Sequence, residues 1–246
     1  MTSGSEPNAT DHPSNPGSAF QSGETKILIE QGYDKIAPAY LAWSAPRTTT
    51  TRMSYLNKLM TFLPPSAHVL ELGCGAGVPC TQSLISHGMN VTGVDISAAQ
   101  IALAHEHVPE ATLIQADMMS LSFQPSTFDA VVAFYSIFHL PQEEQGKMIG
   151  RIQGWLKEGG WLLCNFHTDR GDNWRENWFS PGVTMFSSGL GVHGNRVMFM
   201  QDGYGLTVVE DQVAVEKVGR AEETFHWILA VKREKVEDNL HPFDRE

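Results

Sequence analysis

One glycine-rich stretch has the residue types needed to bind a small charged molecule. In HVLELGCGAG, Glu71 precedes three glycines at alternate positions, Gly73, Gly75 and Gly77. Glycine lets a backbone approach a ligand closely, and a helix that opens after a strand offers free amide groups. Val78 stands where the dinucleotide fingerprint requires glycine, and Glu71 would repel a pyrophosphate. We therefore expect a ligand with an ammonium or sulfonium charge, or else a tight turn that binds nothing.

Two further carboxylates follow the next two apolar runs along the chain. Asp95 ends the run in GVDIS, and Asp117 ends the run in QADMMSL. Because the carboxyl ends of parallel strands meet at one sheet edge, both should lie near the glycine-rich turn. Asp95 can accept hydrogen bonds from two ribose hydroxyls. Asp117 can accept an adenine amine, with Ile96 and Met118 against the ring. Either carboxylate could instead only cap a helix.

Candidate catalytic residues lie just beyond the fourth apolar run, in FYSIFHLP. His139 is the first candidate for a general base. A phenol that acts as a nucleophile would need such a base, and a thiol or carboxylate would not. His139 could instead bond a backbone carbonyl where the next helix opens. Tyr135 could hydrogen-bond a substrate or simply pack. His167, which follows the fifth apolar run, is a second candidate base.

Strands and helices that alternate along the chain must position these residues. The strands are predicted in HVLELG, NVTGVDI, TLIQAD, FDAVVAFYS and WLLCNF, and a closing antiparallel hairpin in LTVVEDQVAVEK and TFHWILAVKRE. Ser97 and Gln100 predict a capping box at one helix start. Pro141 opens a longer helix that Gly159 and Gly160 end; its core face is Met148, Ile149, Ile152, Trp155 and Leu156. This alternation predicts an α/β fold with a parallel sheet covered on both sides.

The regions outside this alternation predict further elements and two tails. One or two helices broken around Gly32 and Pro38 begin near Glu24, and a second helix covers about 47–62. Residues 1–22 predict a disordered tail, 23–235 a single domain, and 236–246 a C-terminal tail. The segment 165–200 is longer than an ordinary connection and predicts a lid over an apolar or aromatic substrate. Its contacts would come from Trp174, Trp178, Phe179 and Phe186, unless these only pack against the N-terminal helices.

Composition excludes several classes of function. The chain of 246 residues carries a formal net charge of -11 and has no cluster of basic residues, which disfavours nucleic acid and anionic membranes as partners. Three cysteines without a C-x-x-C pair disfavour a disulfide framework and a metal site. There is no signal-like apolar segment, so we expect a soluble, cytoplasmic protein, either a monomer or a homodimer.

These motifs together resemble the class I S-adenosylmethionine-dependent methyltransferases. The stretches VLELGCGAG, GVDIS, QADMMSL, FDAVVAFYSIFHL and LKEGGWLL occur in the order and spacing of that family. The resemblance spans roughly residues 33–232. It implies a Rossmann-like, seven-stranded, mostly parallel sheet with a reversed final strand, and S-adenosylmethionine as the cofactor, with S-adenosylhomocysteine as its product.

The same resemblance implies roles for individual residues. The three glycines would border the methionine part of the cofactor, with Asp95 at the ribose, Asp117 at the adenine amine and Phe134 beside the methionine end. The stretch YDKIAPAY is similar to the N-terminal element of a subgroup that includes ubiquinone-biosynthesis and small-metabolite methyltransferases. In that subgroup Tyr33 and Tyr40 would help to close the cofactor pocket, although a hydrophobic helix face would explain them as well.

The sequence therefore predicts transfer of a methyl group to oxygen, nitrogen or sulfur of a small organic molecule, such as a secondary metabolite. A protein of this fold that binds the cofactor without transferring the methyl group, as a binding module or a rearrangement catalyst, is the alternative. A nicotinamide-dependent reductase is disfavoured by Val78 and Glu71.

Overall fold

Short apolar runs form adjacent strands of one central sheet. The computed structural model describes residues 22–46, 50–201, 205–218 and 221–233. The expected tails lie outside these ranges, apart from residue 22. The elements are α1 (Ser22–Ser44), α2 (Thr51–Met60), β1 (His68–Leu72), α3 (Cys80–Ser86), β2 (Asn90–Asp95), α4 (Ala98–His107), β3 (Thr112–Gln115), β4 (Phe128–Ala133), α5 (Gln142–Trp155), β5 (Leu156–His167), β6 (Arg170–Arg175), β7 (Met185–Leu190), α6 (Gly191–Met200), β8 (Leu206–Val218) and β9 (Ala221–Lys232).

Within the described ranges, seven strands form the main sheet in the order β3-β2-β1-β4-β5-β9-β8. Strands β1 to β5 run parallel, and β9 runs antiparallel to both β5 and β8. The expected Rossmann-like sheet with a reversed final strand is confirmed. The strand order reverses at β1, and ligands of such sheets bind beyond the carboxyl ends of the strands at this point.

Alternating side chains of the strands give the sheet an apolar core on each face. One core joins β1, β4 and β5 to α5 and α6, and the other joins them to α2 and α3. The predicted core face of α5 is buried throughout. Among the described residues, no helix has the length and apolar character to cross a bilayer.

Three expected elements differ from the structure. The first helix is not broken at Gly32 or Pro38, because α1 continues through both residues. Its buried residues Ile36 and Ala37 stabilise it, and a Cβ at Gly32 would lie 2.9 Å from Met185 Cε, so glycine permits a close contact with β7. Helix α5 ends at Trp155, before the two glycines, because β5 already begins at the next residue.

The segment 165–200 is not an extended loop. It contains the end of β5, a two-stranded antiparallel sheet of β6 and β7, and helix α6. Backbone pairing between β6 and β7 satisfies the amide groups that a loop of this length would leave exposed.

Candidate active site

The glycine-rich turn between β1 and α3 is fixed to the neighbouring strand by its backbone. The N–H groups of Gly73 and Cys74 both donate to the carbonyl of Val94, at 2.7 and 3.0 Å. Gly73 and Gly75 have positive φ angles of 78° and 55°, which L side chains rarely adopt. A Cβ at Gly75 would meet only Gln100 Oε1, at 3.7 Å, within 4 Å. The backbone at Gly75 is therefore not crowded by its neighbours and borders a cleft.

Asp95, at the end of β2, is bound to this turn. Its Oδ2 accepts a hydrogen bond from Gly75 N and its Oδ1 accepts one from Ser97 N, both at 2.9 Å. Burial raises the pKa of Asp95 to about 6, against the opposing effect of these two hydrogen bonds. Each carboxylate oxygen has a second lone pair, so Asp95 can accept two more hydrogen bonds from a ligand.

Asp117 follows β3 and is held between its own backbone and the N-terminal helix. Its Oδ1 accepts from Met119 N at 2.8 Å, and its Oδ2 lies 3.0 Å from the ammonium of Lys26. Lys26 also lies 2.8 Å from Glu144 Oε2 on α5. Asp117 thus caps a short 3₁₀ turn, as one of the sequence interpretations expected, and also faces the same space as Asp95.

One cleft connects these residues. Most residues predicted at the site line it: Tyr33, Tyr40, Gly73, Gly75, Asp95, Ile96, Asp117, Met118, Phe134, Tyr135 and His139. The structure therefore brings together both carboxylates, the glycine turn and both catalytic candidates at the carboxyl ends of the strands.

Glu71 and Gly77 are not among the residues that line the cleft. The Glu71 carboxylate is buried and accepts a hydrogen bond from Thr81 Oγ1 at 2.6 Å, and burial raises its pKa to about 7. A Cβ at Gly77 would lie 2.4 Å from Val108 Cγ2, so packing explains this glycine. A role for either residue in ligand binding stays a prediction.

Sequence reasoning missed the other lining residues, which are Lys26, Ile29, Val94, Gln100, Ala116, Ser136 and Leu140. Gln100 is only 1% exposed, yet both atoms of its amide group lack a hydrogen-bond partner among the described residues. The capping box is therefore only half present: Ser97 Oγ accepts from Gln100 N at 3.1 Å, but the Gln100 side chain faces the cleft. Ser136, 5% exposed, also has an Oγ with no partner in the described ranges.

Buried polar groups are usually hydrogen-bonded in folded proteins, so unpartnered groups beside a cleft are available to a ligand or to water. Gln100 and Ser136 offer hydrogen-bond donors and acceptors beside Asp95 and the glycine turn. The donor set of the cleft therefore fits a polar ligand with hydroxyl and amine groups. In the described part of the chain, no group of three His, Cys, Asp or Glu side chains is placed to hold a metal ion.

His139 is held in one tautomer. Its Nδ1 lies 2.6 Å from the carbonyl oxygen of Phe186, which can only accept, so Nδ1 carries the proton. Its Nε2 then accepts a hydrogen bond from the hydroxyl of Tyr33, at 3.1 Å. Burial lowers the pKa of His139 to about 4. The carbonyl-bonding alternative is present, but the partner lies in β7 and not at the start of the next helix.

Tyr135 lies between the cleft and a second polar cluster. Its hydroxyl donates to Glu216 Oε2 at 2.6 Å, and Trp227 Nε1 donates to the other oxygen of that carboxylate at 3.1 Å. The guanidinium carbon of Arg52 lies 5.6 Å from the centre of the Tyr135 ring. Arg52 Nε is buried and has no partner among the residues described. His167, the second candidate base, packs against Phe138 with the two ring centres 4.2 Å apart and the rings tilted, and it does not line the cleft.

Two of the four aromatic residues predicted to contact the substrate, Trp178 and Phe179, pack against α1. Trp178 lies 5.6 Å from both Tyr33 and Tyr40, and Phe179 lies 5.4 Å from Trp43, measured between ring centres. Trp174 and Phe186 pack against each other across β6 and β7. None of the four predicted substrate contacts lines the cleft among the described residues, and their contact with a substrate stays a prediction.

Comparison with known proteins identifies the kind of domain that carries this cleft. Residues 69–160 match the family model of a methyltransferase domain. Residues 69–160 thus carry a methyltransferase domain. This confirms the resemblance to the S-adenosylmethionine-dependent methyltransferases, the family whose cofactor is S-adenosylmethionine.

Two curated relatives, both methyltransferases, match parts of the chain. The chain is 29% identical over 149 residues to a phosphatidylethanolamine N-methyltransferase from Cereibacter sphaeroides, covering 56% of this chain and 71% of that protein. It is 34% identical over 97 residues to an uncharacterized methyltransferase from Bacillus cytotoxicus, covering 39% of this chain and 45% of that protein. The chain spans less than half the length of several such curated relatives.

A solved structure shares the fold over nearly the whole chain. The 1,6-didemethyltoxoflavin N1-methyltransferase from Burkholderia thailandensis, crystallised with 1,6-didemethyltoxoflavin and S-adenosylhomocysteine, superposes with a TM-score of 0.67. The match covers 94% of this chain and 100% of that chain at 17% identity. At this identity the likeness concerns the fold of the methyltransferase domain alone.

Proposed function

We propose that this protein transfers the methyl group of S-adenosylmethionine to oxygen, nitrogen or sulfur of a small organic molecule. The observation that carries the proposal is the placement of Asp95 and Asp117 around one cleft, bordered by Gly73 and Gly75 and containing the unpartnered amide of Gln100. A secondary metabolite as acceptor and a cytoplasmic location are part of the same proposal.

The cleft residues divide according to the parts of the cofactor they would hold. Asp95 and Gln100 would bind the ribose hydroxyls, and Asp117 would accept the adenine amine, with Ile96 and Met118 against the ring. The backbone at Gly75 would lie beside the methionine part. Arg52, with its unpartnered Nε behind Tyr135, would neutralise the carboxylate of that part.

When bound, the cofactor supplies a methyl group that is already electrophilic. The protein therefore mainly has to exclude water and align an acceptor, and orientation alone can lower the barrier by about 7–11 kcal/mol in favourable cases. His139 would have to lose the hydrogen bond from Tyr33 before its Nε2 could take a proton. Its lowered pKa makes it a weak base, which favours acceptors that need little deprotonation, such as a thiol.

Two measurements test this function in sequence. Isothermal titration calorimetry of the folded protein with S-adenosylhomocysteine should give a saturable binding heat, and no heat with either this compound or S-adenosylmethionine would refute the assignment. Incubation with methyl-labelled S-adenosylmethionine and panels of phenols, amines and thiols should then transfer the label. Binding without label in any product would instead support the alternative in which the domain binds the cofactor without transferring the methyl group.

A further inference from the structure

The turn that follows β4 contains a residue in an unusual backbone conformation. Tyr135 has a φ angle of 52°, in the left-handed region that side chains other than those of glycine and asparagine rarely adopt. Its neighbours Phe134 and Ser136 both line the cleft. A conformation of this kind persists only where the surroundings fix it.

One group that fixes the backbone of this turn is Asn165, near the end of β5. Asn165 Oδ1 accepts a hydrogen bond from Tyr135 N at 2.8 Å. Asn165 is 0% exposed and lies opposite Trp227 in the pairing of β5 with β9, so its backbone belongs to the rigid centre of the sheet. Asn165 does not line the cleft, and its Nδ2 has no hydrogen-bond partner among the described residues.

The Phe134–Ser136 turn also contacts the glycine-rich turn between β1 and α3. A Cβ added to Gly73 would lie 2.5 Å from Ser136 Cβ, so the two backbones meet where no side chain fits between them. Any shift of Ser136 therefore moves Gly73 or opens a gap beside it. Asn165 is thus connected, through Tyr135 and Ser136, to Gly73 beside the part of the cleft proposed for the methionine moiety. It reaches Asp95 only indirectly, through Gly75 two residues further along the glycine-rich turn.

We infer that Asn165 is a positioning residue that holds the Phe134–Ser136 turn against Gly73 and so shapes the half of the cleft that receives the amino-acid part of the cofactor. This inference rests on the proposed function. It predicts that losing the Asn165 side chain weakens the binding of S-adenosylhomocysteine but not of adenosine, since adenosine contacts only the ribose and adenine positions.

The test compares calorimetric dissociation constants of both compounds for the full chain. Asn165→Ala should weaken the binding of S-adenosylhomocysteine about tenfold, which is the effect of losing one hydrogen bond, and should leave the binding of adenosine unchanged. Asn165→Asp keeps an oxygen in the position that accepts from Tyr135 N and should restore most of the affinity. Asn195→Ala is the matched control, because Asn195 is equally buried and donates to the His167 carbonyl but does not touch the turn.

A double-mutant cycle with Tyr135→Gly tests whether Asn165 acts through the backbone conformation of residue 135. Glycine adopts a positive φ angle without strain, so the hydrogen bond from Asn165 should matter less in that background. The tenfold loss should therefore shrink clearly when Asn165→Ala is combined with Tyr135→Gly. If Asn165→Ala alone does not fold, the comparison of Tyr135→Gly with the double variant, together with Asn165→Asp, keeps the inference testable.

Equal weakening of both compounds, unchanged binding of S-adenosylhomocysteine, failure of the Asp variant to restore affinity, or an undiminished loss in the Tyr135→Gly background would each overturn the inference. A wild-type protein that binds neither compound would instead refute the proposed function.

Discussion

The sharpest prediction concerns Asp95, whose carboxylate is already half occupied by the protein. Both oxygens accept one backbone N–H at 2.9 Å, from Gly75 and Ser97, which leaves one lone pair on each for a ribose hydroxyl. A hydrogen bond to a charged group contributes about 1.5–3 kcal/mol. Two such bonds amount to at least about 3 kcal/mol, which corresponds to a factor of roughly 100 in the dissociation constant.

Asp95→Ala should therefore weaken S-adenosylhomocysteine binding about 100-fold in isothermal titration calorimetry. Asp129→Asn is a suitable control. Asp129 also accepts a backbone N–H, from His68, and pairs with Lys157, but it lies at the opposite edge of the sheet. Asp95 does not bind the ribose if the dissociation constant of Asp95→Ala lies within about threefold of the wild-type value. The same conclusion follows if Asp129→Asn weakens binding as much as Asp95→Ala.

The pH dependence gives a second test of the same residue. Burial raises the pKa of Asp95 to about 6, so the neutral form is favoured in the folded protein compared with an exposed carboxyl. The ionised form should be required to accept both hydroxyls. Affinity should therefore fall as pH drops through about 6, and Asp95→Asn should lose this dependence. The same shift means that ionised Asp95 destabilises the ligand-free fold. This cost should begin to fall as the pH drops through about 6 and should be absent only below 3.8, the ordinary pKa of an aspartate.

Three further predictions test individual contacts. Gly77→Ala should destabilise the fold by about 1–3 kcal/mol in urea denaturation, because its Cβ would meet Val108, and adding Val108→Ala should recover part of the loss. Lys26→Met should lower stability by about 1 kcal/mol, as Asp117 and Glu144 lose their shared partner, whereas Lys35→Met, at an exposed contact, should have little effect. In nitrogen-detected NMR titrations His139 should stay neutral, with the proton on Nδ1, down to about pH 5.

The sheet and its ligand-binding edge could be predicted because both depend on local patterns. An apolar run of five or six residues forms a buried parallel strand wherever helices separate such runs, and the carboxyl ends then meet without further information. This brings Asp95 and Asp117 to one cleft even though they lie on different strands. The closing antiparallel hairpin followed in the same way from two long β-rich runs joined by a short link, whereas the reversed final strand was implied by the family resemblance.

The orientations of individual side chains could not be predicted as well, because the same local sequence motif is compatible with different side-chain orientations. Ser97 and Gln100 have the spacing of a capping box, but the Gln100 side chain faces the cleft. Gly77 belongs to the same motif as Gly75, yet contacts between α4 and the glycine turn decide that it packs against Val108. Which member of a motif faces a ligand depends on residues far away in sequence.

The contacts that complete the cleft are all of this long-range kind. Tyr33 reaches His139 across 106 positions, and Asn165 reaches Tyr135 across 30. Helix α1 is the clearest case: Lys26 binds the carboxylate proposed for adenine, Asp34 accepts from Ser97 at the start of α4, and Tyr33 packs against Trp178. One helix thus contacts both the cofactor end of the cleft and the segment that follows β5. A change in α1 should therefore affect both ends together, which no single motif in the sequence indicates.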